Sequence, residues 1–128
     1  MIARRSLFAA IAVFCAIRVS QAADQQTYTA QAFAAAQAAG KPILVHIYAP
    51  WCPTCRAQEP ILGKLEQDAK FASLVVFRVD FDGQKDAVRA FRANQQSTLI
   101  VFKGAVETGR SVGETSPASI AALLGKAL

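Results

Sequence analysis

Two cysteines spaced two residues apart, in Trp51-Cys52-Pro53-Thr54-Cys55, are the residues here best suited to chemistry. The thiolate, not the thiol, is the nucleophile, and an ordinary cysteine ionises at a pH of about 8.5. One thiolate can attack a disulfide, and the other can resolve the mixed disulfide that forms. A bond between two such close cysteines closes a very short loop and adds little chain-entropy stabilisation. The spacing therefore suits redox chemistry better than scaffolding. A structural zinc site takes four ligands. Once Cys15 is set aside with the leader described below, one chain offers two cysteines and His46, and would need a carboxylate as well.

The positions of these thiols follow from the elements around them. Ile43 to Tyr48 (ILVHIY) is a nearly continuous apolar, β-branched run, as expected of a strand buried on both faces. Cys52 to about Asp68 reads as a helix with Pro53 in its first turn. Strand, short loop and cysteine at a helix start form a productive order. The unpaired amides and positive dipole end of a helix favour an anion there. Cys52 is expected to be the exposed attacking thiol. Cys55, one turn further in, is expected to be the more buried resolving thiol.

The rest of the chain alternates in the same way. Thr29 caps an expected helix over residues 30–39, which Gly40-Lys41-Pro42 ends. Residues 74–81 (LVVFRVDF) form a second buried strand, Asp82-Gly83 a turn and residues 85–92 a short helix. Residues 98–103 and 106–111 pair as a hairpin across Gly104-Ala105, and Ser116-Pro117 opens a last helix to about Lys126. Alternating elements of this kind predict an α/β fold with helices on both faces of a sheet. Phe33, Phe71, Phe77, Phe91 and Phe102 fall in apolar patterns and are expected in the core, and Asp80 and Asp82 are expected to serve the strand end and turn.

Composition sets the class. With 128 residues, 53% hydrophobic and 18% charged, one packed domain is expected. Arg4 and Arg5, the apolar run Leu7 to Ile17 and the small residues of Ser20-Gln21-Ala22 have the layout of a secretory signal peptide. Cleavage after Ala22 would leave a domain over residues 23–128, exported and, in a bacterium, periplasmic. Arg18 cuts the run well short of the ~20 apolar residues that span a bilayer. Losing Arg4, Arg5 and Arg18 from 14 basic residues leaves 11 against 9 acidic, a balance of +2. No basic cluster remains, so nucleic acid is not an expected partner.

These features resemble the thioredoxin family. The likeness rests on ILVHIY, Ala49-Pro50-Trp51, the C-x-x-C, Pro60, the strand TLIVFK and Val112-Gly113, in that order. It implies a thioredoxin fold with a central mixed sheet of about four to five strands flanked by helices. It also implies a nucleophile at Cys52, a resolving thiol at Cys55, Trp51 beside the site, and Pro53-Thr54 tuning the reduction potential. Pro60 matches the family's proline inside the helix.

Two departures stand out. Where the family has a buried Asp beneath the second cysteine, this chain has His46, either a proton carrier or a neutral core residue. Arg78 then lacks that acid as an ion-pair partner and is expected to reach solvent along its apolar stem. Where the family has a cis-proline, this chain has Ser97. A cis bond there would cost about 2.5–4 kcal/mol. The expectation is either a trans Gln96–Ser97 bond with a reshaped loop or a strained cis bond. The Ser97 hydroxyl can meet a thiolate or substrate, or simply satisfy the loop.

The expected activity is thiol–disulfide exchange with exported proteins or small thiols, by a monomer needing no organic cofactor or metal and served by a redox partner in or at the membrane. Two alternatives stay open. One is a dimer joined through four thiolates by a metal ion or iron–sulfur cluster. The other is a redox-inactive binding module on the same fold.

Overall fold

The computed structural model describes residues 22–128. The signal-peptide expectation falls almost wholly on residues outside that range. The described chain forms β1 (Asp24–Thr27), α1 (Ala30–Ala38), β2 (Pro42–Tyr48), α2 (Pro53–Glu66), β3 (Val75–Asp80), α3 (Lys85–Ala90), β4 (Thr98–Lys103), β5 (Val106–Val112) and α4 (Pro117–Gly125). A single 3₁₀ turn, Ala69–Phe71, links α2 to β3.

The sheet is mixed, in the order β1-β3-β2-β4-β5. β1 and β2 run parallel to β3, β4 is antiparallel to β2, and β5 is antiparallel to β4. This is the thioredoxin fold that the resemblance implied. The element reading missed β1. Its residues, Asp-Gln-Gln-Thr, are polar and mostly exposed, so no apolar pattern marks it. Backbone pairing holds it in place, with Ala23 N–H donating to Glu66 O at 2.8 Å and Asp24 N–H to Leu74 O at 3.0 Å.

Alternation along the central strands divides the core in two. Ile43, Val45 and Ile47 of β2, with Phe77, Ile100 and Phe102, face α1 and α3. There Phe33, Phe77, Phe91 and Phe102 pack mostly edge to face, at centroid spacings such as 5.6 Å for Phe33–Phe77. Leu44 of β2, with Val76, Leu99 and Val101, faces Leu62 of α2 and Ile120, Leu123 and Leu124 of α4. The five phenylalanines expected in the core take that place, Phe33 only partly buried.

Local caps set the helix starts. Thr29 Oγ1 accepts from Ala32 N–H at 3.1 Å, and Ser116 Oγ accepts from Ser119 N–H at 3.4 Å. α2 begins where Pro53 supplies a first-turn φ and a residue with no amide to satisfy. Leu62, 1% exposed, ties the body of α2 to the sheet. Leu62→Ala is expected to cost about 2–5 kcal/mol. A urea titration would read this as a lower midpoint with an unchanged slope; an unchanged midpoint would show that Leu62 does not anchor α2.

Candidate active site

β2, the central strand, ends at Tyr48, and the turn Ala49-Pro50-Trp51 delivers Cys52 to the N-cap of α2. The cap is a sulfur: Cys52 Sγ accepts from Cys55 N–H at 3.1 Å. Both cysteines are free thiols. They pack together with Ala49, against Tyr48 and Phe81. Cys55 is buried as expected, but Cys52 is not the exposed thiol predicted from sequence. It is 1% exposed, because its side chain turns inward to cap the helix. Burial pushes the Cys55 thiol up to about 11, and the neighbouring Cys52 adds to the rise. Backbone hydrogen bonding from Ala49 and Ser97 opposes it.

Trp51 stands beside the dithiol, 55% exposed, with its indole N–H donating to Asp82 Oδ2 at 2.6 Å. Asp80 Oδ1 meanwhile accepts from the amides of Asp82 and Gly83, the turn role expected of it. Pro53 is exposed and Thr54 half-buried at the first turn of α2.

Ser97 lies under the same corner, 5% exposed. The described residues contain no cis peptide bond, so Gln96–Ser97 is trans and the loop is reshaped. The chain turns by placing Ser97 at φ +60°, a left-handed conformation unusual for a residue with a Cβ. The Ser97 carbonyl accepts from Gly113 N–H at 3.0 Å and from the Gln58 carboxamide at 3.3 Å. Gln58 was not singled out in the sequence. It lies three residues after Cys55 on the same helix face, and a polar residue there among apolar core positions was the available signal.

His46 sits on the inner face of β2, 1% exposed, paired in register with Arg78 of β3. Arg78 does not run to solvent unpartnered as expected. Its guanidinium forks onto both carboxylate oxygens of Glu59, at 2.8 and 3.2 Å, and lies 4.1 Å from the Tyr48 ring centroid. The missing strand acid is thus replaced by a helix acid. Burial holds the imidazole neutral, with its pKa lowered to about 4; Arg78 lowers it further, while Glu59 and Gln58 pull the other way.

This has a measurable consequence. An unfolded imidazole takes up a proton near 6.5, whereas the folded one does so only near 4. The unfolded state therefore binds more protons between those values, and stability falls as pH drops through that window. The loss from this residue approaches about 3 kcal/mol at the acid end. Urea midpoints between pH 7 and pH 4 should fall more steeply for the wild type than for His46→Leu. Parallel profiles would contradict a neutral, buried His46.

Comparison with known proteins places this geometry. The family described as Thioredoxin matches residues 24–126. The chain is 31% identical over 80 residues to a thioredoxin of Mycobacterium bovis, covering 62% of this chain and 68% of that one. It is 30% identical over 88 residues to the bifunctional thioredoxin reductase/thioredoxin of Mycobacterium leprae, covering 69% of this chain but only 19% of that longer protein. Among solved structures, Trxlp from Edwardsiella tarda superposes with a TM-score of 0.77 and 46% identity, over 79% of this chain and 98% of that one. The Malassezia sympodialis thioredoxin, at 19% identity and a TM-score of 0.73 over 84% of this chain and 93% of that one, shares the fold. On its fold, on the Cys52–Cys55 pair at the head of α2 and on these matches, the chain belongs to the thioredoxin family.

Proposed function

We propose that the chain is an exported thiol–disulfide oxidoreductase that exchanges disulfides with exported proteins or small thiols through Cys52 and Cys55. Family membership supports a thiol–disulfide redox role in general. The observation that carries the finer reading is the free dithiol at the start of α2, with Cys52 Sγ 3.1 Å from the Cys55 amide. Export is supported by Arg4 and Arg5, the apolar run Leu7 to Ile17 and Ser20-Gln21-Ala22.

In the proposed cycle the Cys52 side chain swings out of its cap and its thiolate attacks a substrate disulfide. One substrate sulfur leaves as a thiol, and a Cys52–substrate disulfide forms. Cys55 then attacks Cys52 Sγ. The Cys52–Cys55 bond forms, the mixed disulfide breaks, and the Cys55 proton passes to the second departing sulfur. Two electrons move from the dithiol to the substrate, and the reverse sequence oxidises a substrate dithiol. His46 is poorly matched as the direct acceptor of that proton. A thiol near 11 gives up its proton only uphill to an imidazole near 4. Trp51, pinned by Asp82, forms the wall beside Cys52, and Pro53-Thr54 shape the first turn on which the two thiols stand.

The reading makes two linked predictions. Cys55→Ala should accumulate stable mixed disulfides with partner proteins, visible as adducts that a reductant removes, and Cys52→Ser should accumulate none. Equilibration in glutathione buffers should show a reversible two-electron couple. A potential of about −120 mV would mark a disulfide donor, and about −270 mV a reductant fed by a donor at the membrane. The absence of both adducts and a couple would leave a binding module instead.

A further inference from the structure

Arg92 follows the last turn of α3 at φ +52°. Ala93 N–H donates to Val88 O at 3.0 Å and Arg92 N–H to Arg89 O at 2.9 Å, the paired bonds by which a helix ends on a left-handed residue. Glycine is the usual occupant of that position, because a Cβ there crowds the backbone. Strain of this kind gathers at sites of binding and catalysis. A cation also suits the end of a helix, but Arg110 of β5 already fills that role. Its guanidinium donates to Phe91 O at 2.8 Å and to Arg92 O at 3.3 Å. Two bonds to Glu107, at 2.8 and 3.2 Å, orient it in turn. The turn is thus braced from β5. Among the described residues the Arg92 guanidinium forms no ion pair, and the residue is exposed.

Beside it opens a cavity of about 360 Å³, whose wall includes Arg92, Asn94, Gln95, Arg110 and Val112. No carboxylate is among the residues that line it. The Arg110 bonds, and more weakly the charge of Arg92, hold the Glu107 carboxyl below its usual range, so it stays ionised. Glu107 offsets Arg110, and the charge of Arg92 is left over. Asn94 and Gln95 add carboxamides, which can donate hydrogen bonds to an anion.

The cavity lies at the dithiol's end of the sheet. Thr98, on its wall, pairs with Ile47 near the end of the strand that leads to Cys52. Val112, 53% exposed, pairs with Thr98 and precedes Gly113, whose amide holds the Ser97 carbonyl. Neighbouring strands lie ~4.8 Å apart, and an extended peptide advances ~3.3–3.6 Å per residue. A substrate joined through Cys52 therefore brings residues a few positions from its own cysteine to this wall.

We propose, on the oxidoreductase reading above, that Arg92 is a specificity-determining residue: it receives the carboxylate of an acidic side chain a few residues from the cysteine of a protein or peptide substrate. Arg110 and Glu107 brace the turn that presents it. The strain arises from placing a guanidinium where glycine would fit better.

Peptides with one cysteine, activated as mixed disulfides with a neutral thiopyridine, test this on the reduced protein. Attack by Cys52 at the peptide sulfur releases the coloured thiopyridine. Each peptide carries Glu or Gln at one position, scanned along both sides of its cysteine. In the wild type a Glu peptide should react roughly two- to fivefold faster than its Gln twin at one position or more, the range an exposed ion pair supplies. Salt should shrink that ratio. Arg92→Gln and Arg92→Gly should bring it to about one or below. Arg92→Gly should also raise the urea midpoint, because glycine takes φ +52° without strain. Arg92→Gln keeps the backbone restriction and carries the test should Arg92→Gly not fold. Equal Glu and Gln rates throughout the wild-type scan, or a preference that survives the substitutions, would overturn the proposal and leave the oxidoreductase reading intact. A midpoint lowered by Arg92→Gly with the ratio unchanged would show that Arg92 serves the fold alone. A wild type that releases no thiopyridine from any peptide would overturn both readings.

Discussion

The carbonyl of Ser97 is the joint on which this active site depends. It accepts hydrogen bonds from the Gly113 amide and the Gln58 carboxamide, so the entry to β4, the exit of β5 and the middle of α2 meet at one atom. A peptide unit whose oxygen is held twice cannot rotate freely, so the Ser97–Thr98 peptide is fixed at the entry to β4. A serine at positive φ is uncommon, because its Cβ crowds the backbone there. Here relaxation would take one of the two acceptors from the buried Gln58 carboxamide, a cost of the same order as the backbone strain it relieves.

The same corner shows how a buried charge pattern can be rebuilt with different residues. His46 occupies the strand position of the family's acid, and burial keeps it neutral. The acid has moved to the helix as Glu59, where it takes the two-pronged Arg78 pair at the rim of the core. Both partners of that pair keep some solvent access, so neither suffers the full desolvation of a buried ion. The Tyr48 ring then fills the space under the guanidinium and closes the polar row from outside. The outcome is an uncharged interior beneath the thiols, bounded by an ion pair instead of containing one.

The dithiol inherits its properties from that arrangement. Cys52 caps α2 through its own sulfur, which keeps the pair together and out of water in the reduced form. Cys55 is harder to ionise because its surroundings are apolar and uncharged, and two backbone amides are what offsets this. Burial is thus the main control on the resolving thiol, with Cys52 adding to it and backbone hydrogen bonding opposing it.

Much of this protein could be read along the chain. Three of the four helix starts, those of α1, α2 and α4, carry a local cap, at Thr29, at Cys52-Pro53 and at Ser116-Pro117, and such signals act within a few residues. The central strands declare themselves because burial on both faces demands continuous apolar runs. Cys52, Cys55, Trp51 and the substitutions at His46 and Ser97 were all visible by type and spacing. β1 was not, because a polar edge strand is defined by the backbone groups of its neighbour and not by its own side chains. The inward turn of Cys52, the Arg78–Glu59 pair and the Gln58 contacts were equally hidden. The ion pair and the Gln58 contacts depend on which groups meet across 19 to 56 residues once the sheet and α2 are packed, and the choice of a sulfur as the cap of α2 has no sequence signal of its own. The sequence by itself determined the elements and the reactive pair, since those follow from local propensity and burial pattern. Only the tertiary structure decided how the pair is held and charged, because desolvation and hydrogen-bond partners exist only after distant segments have been brought together.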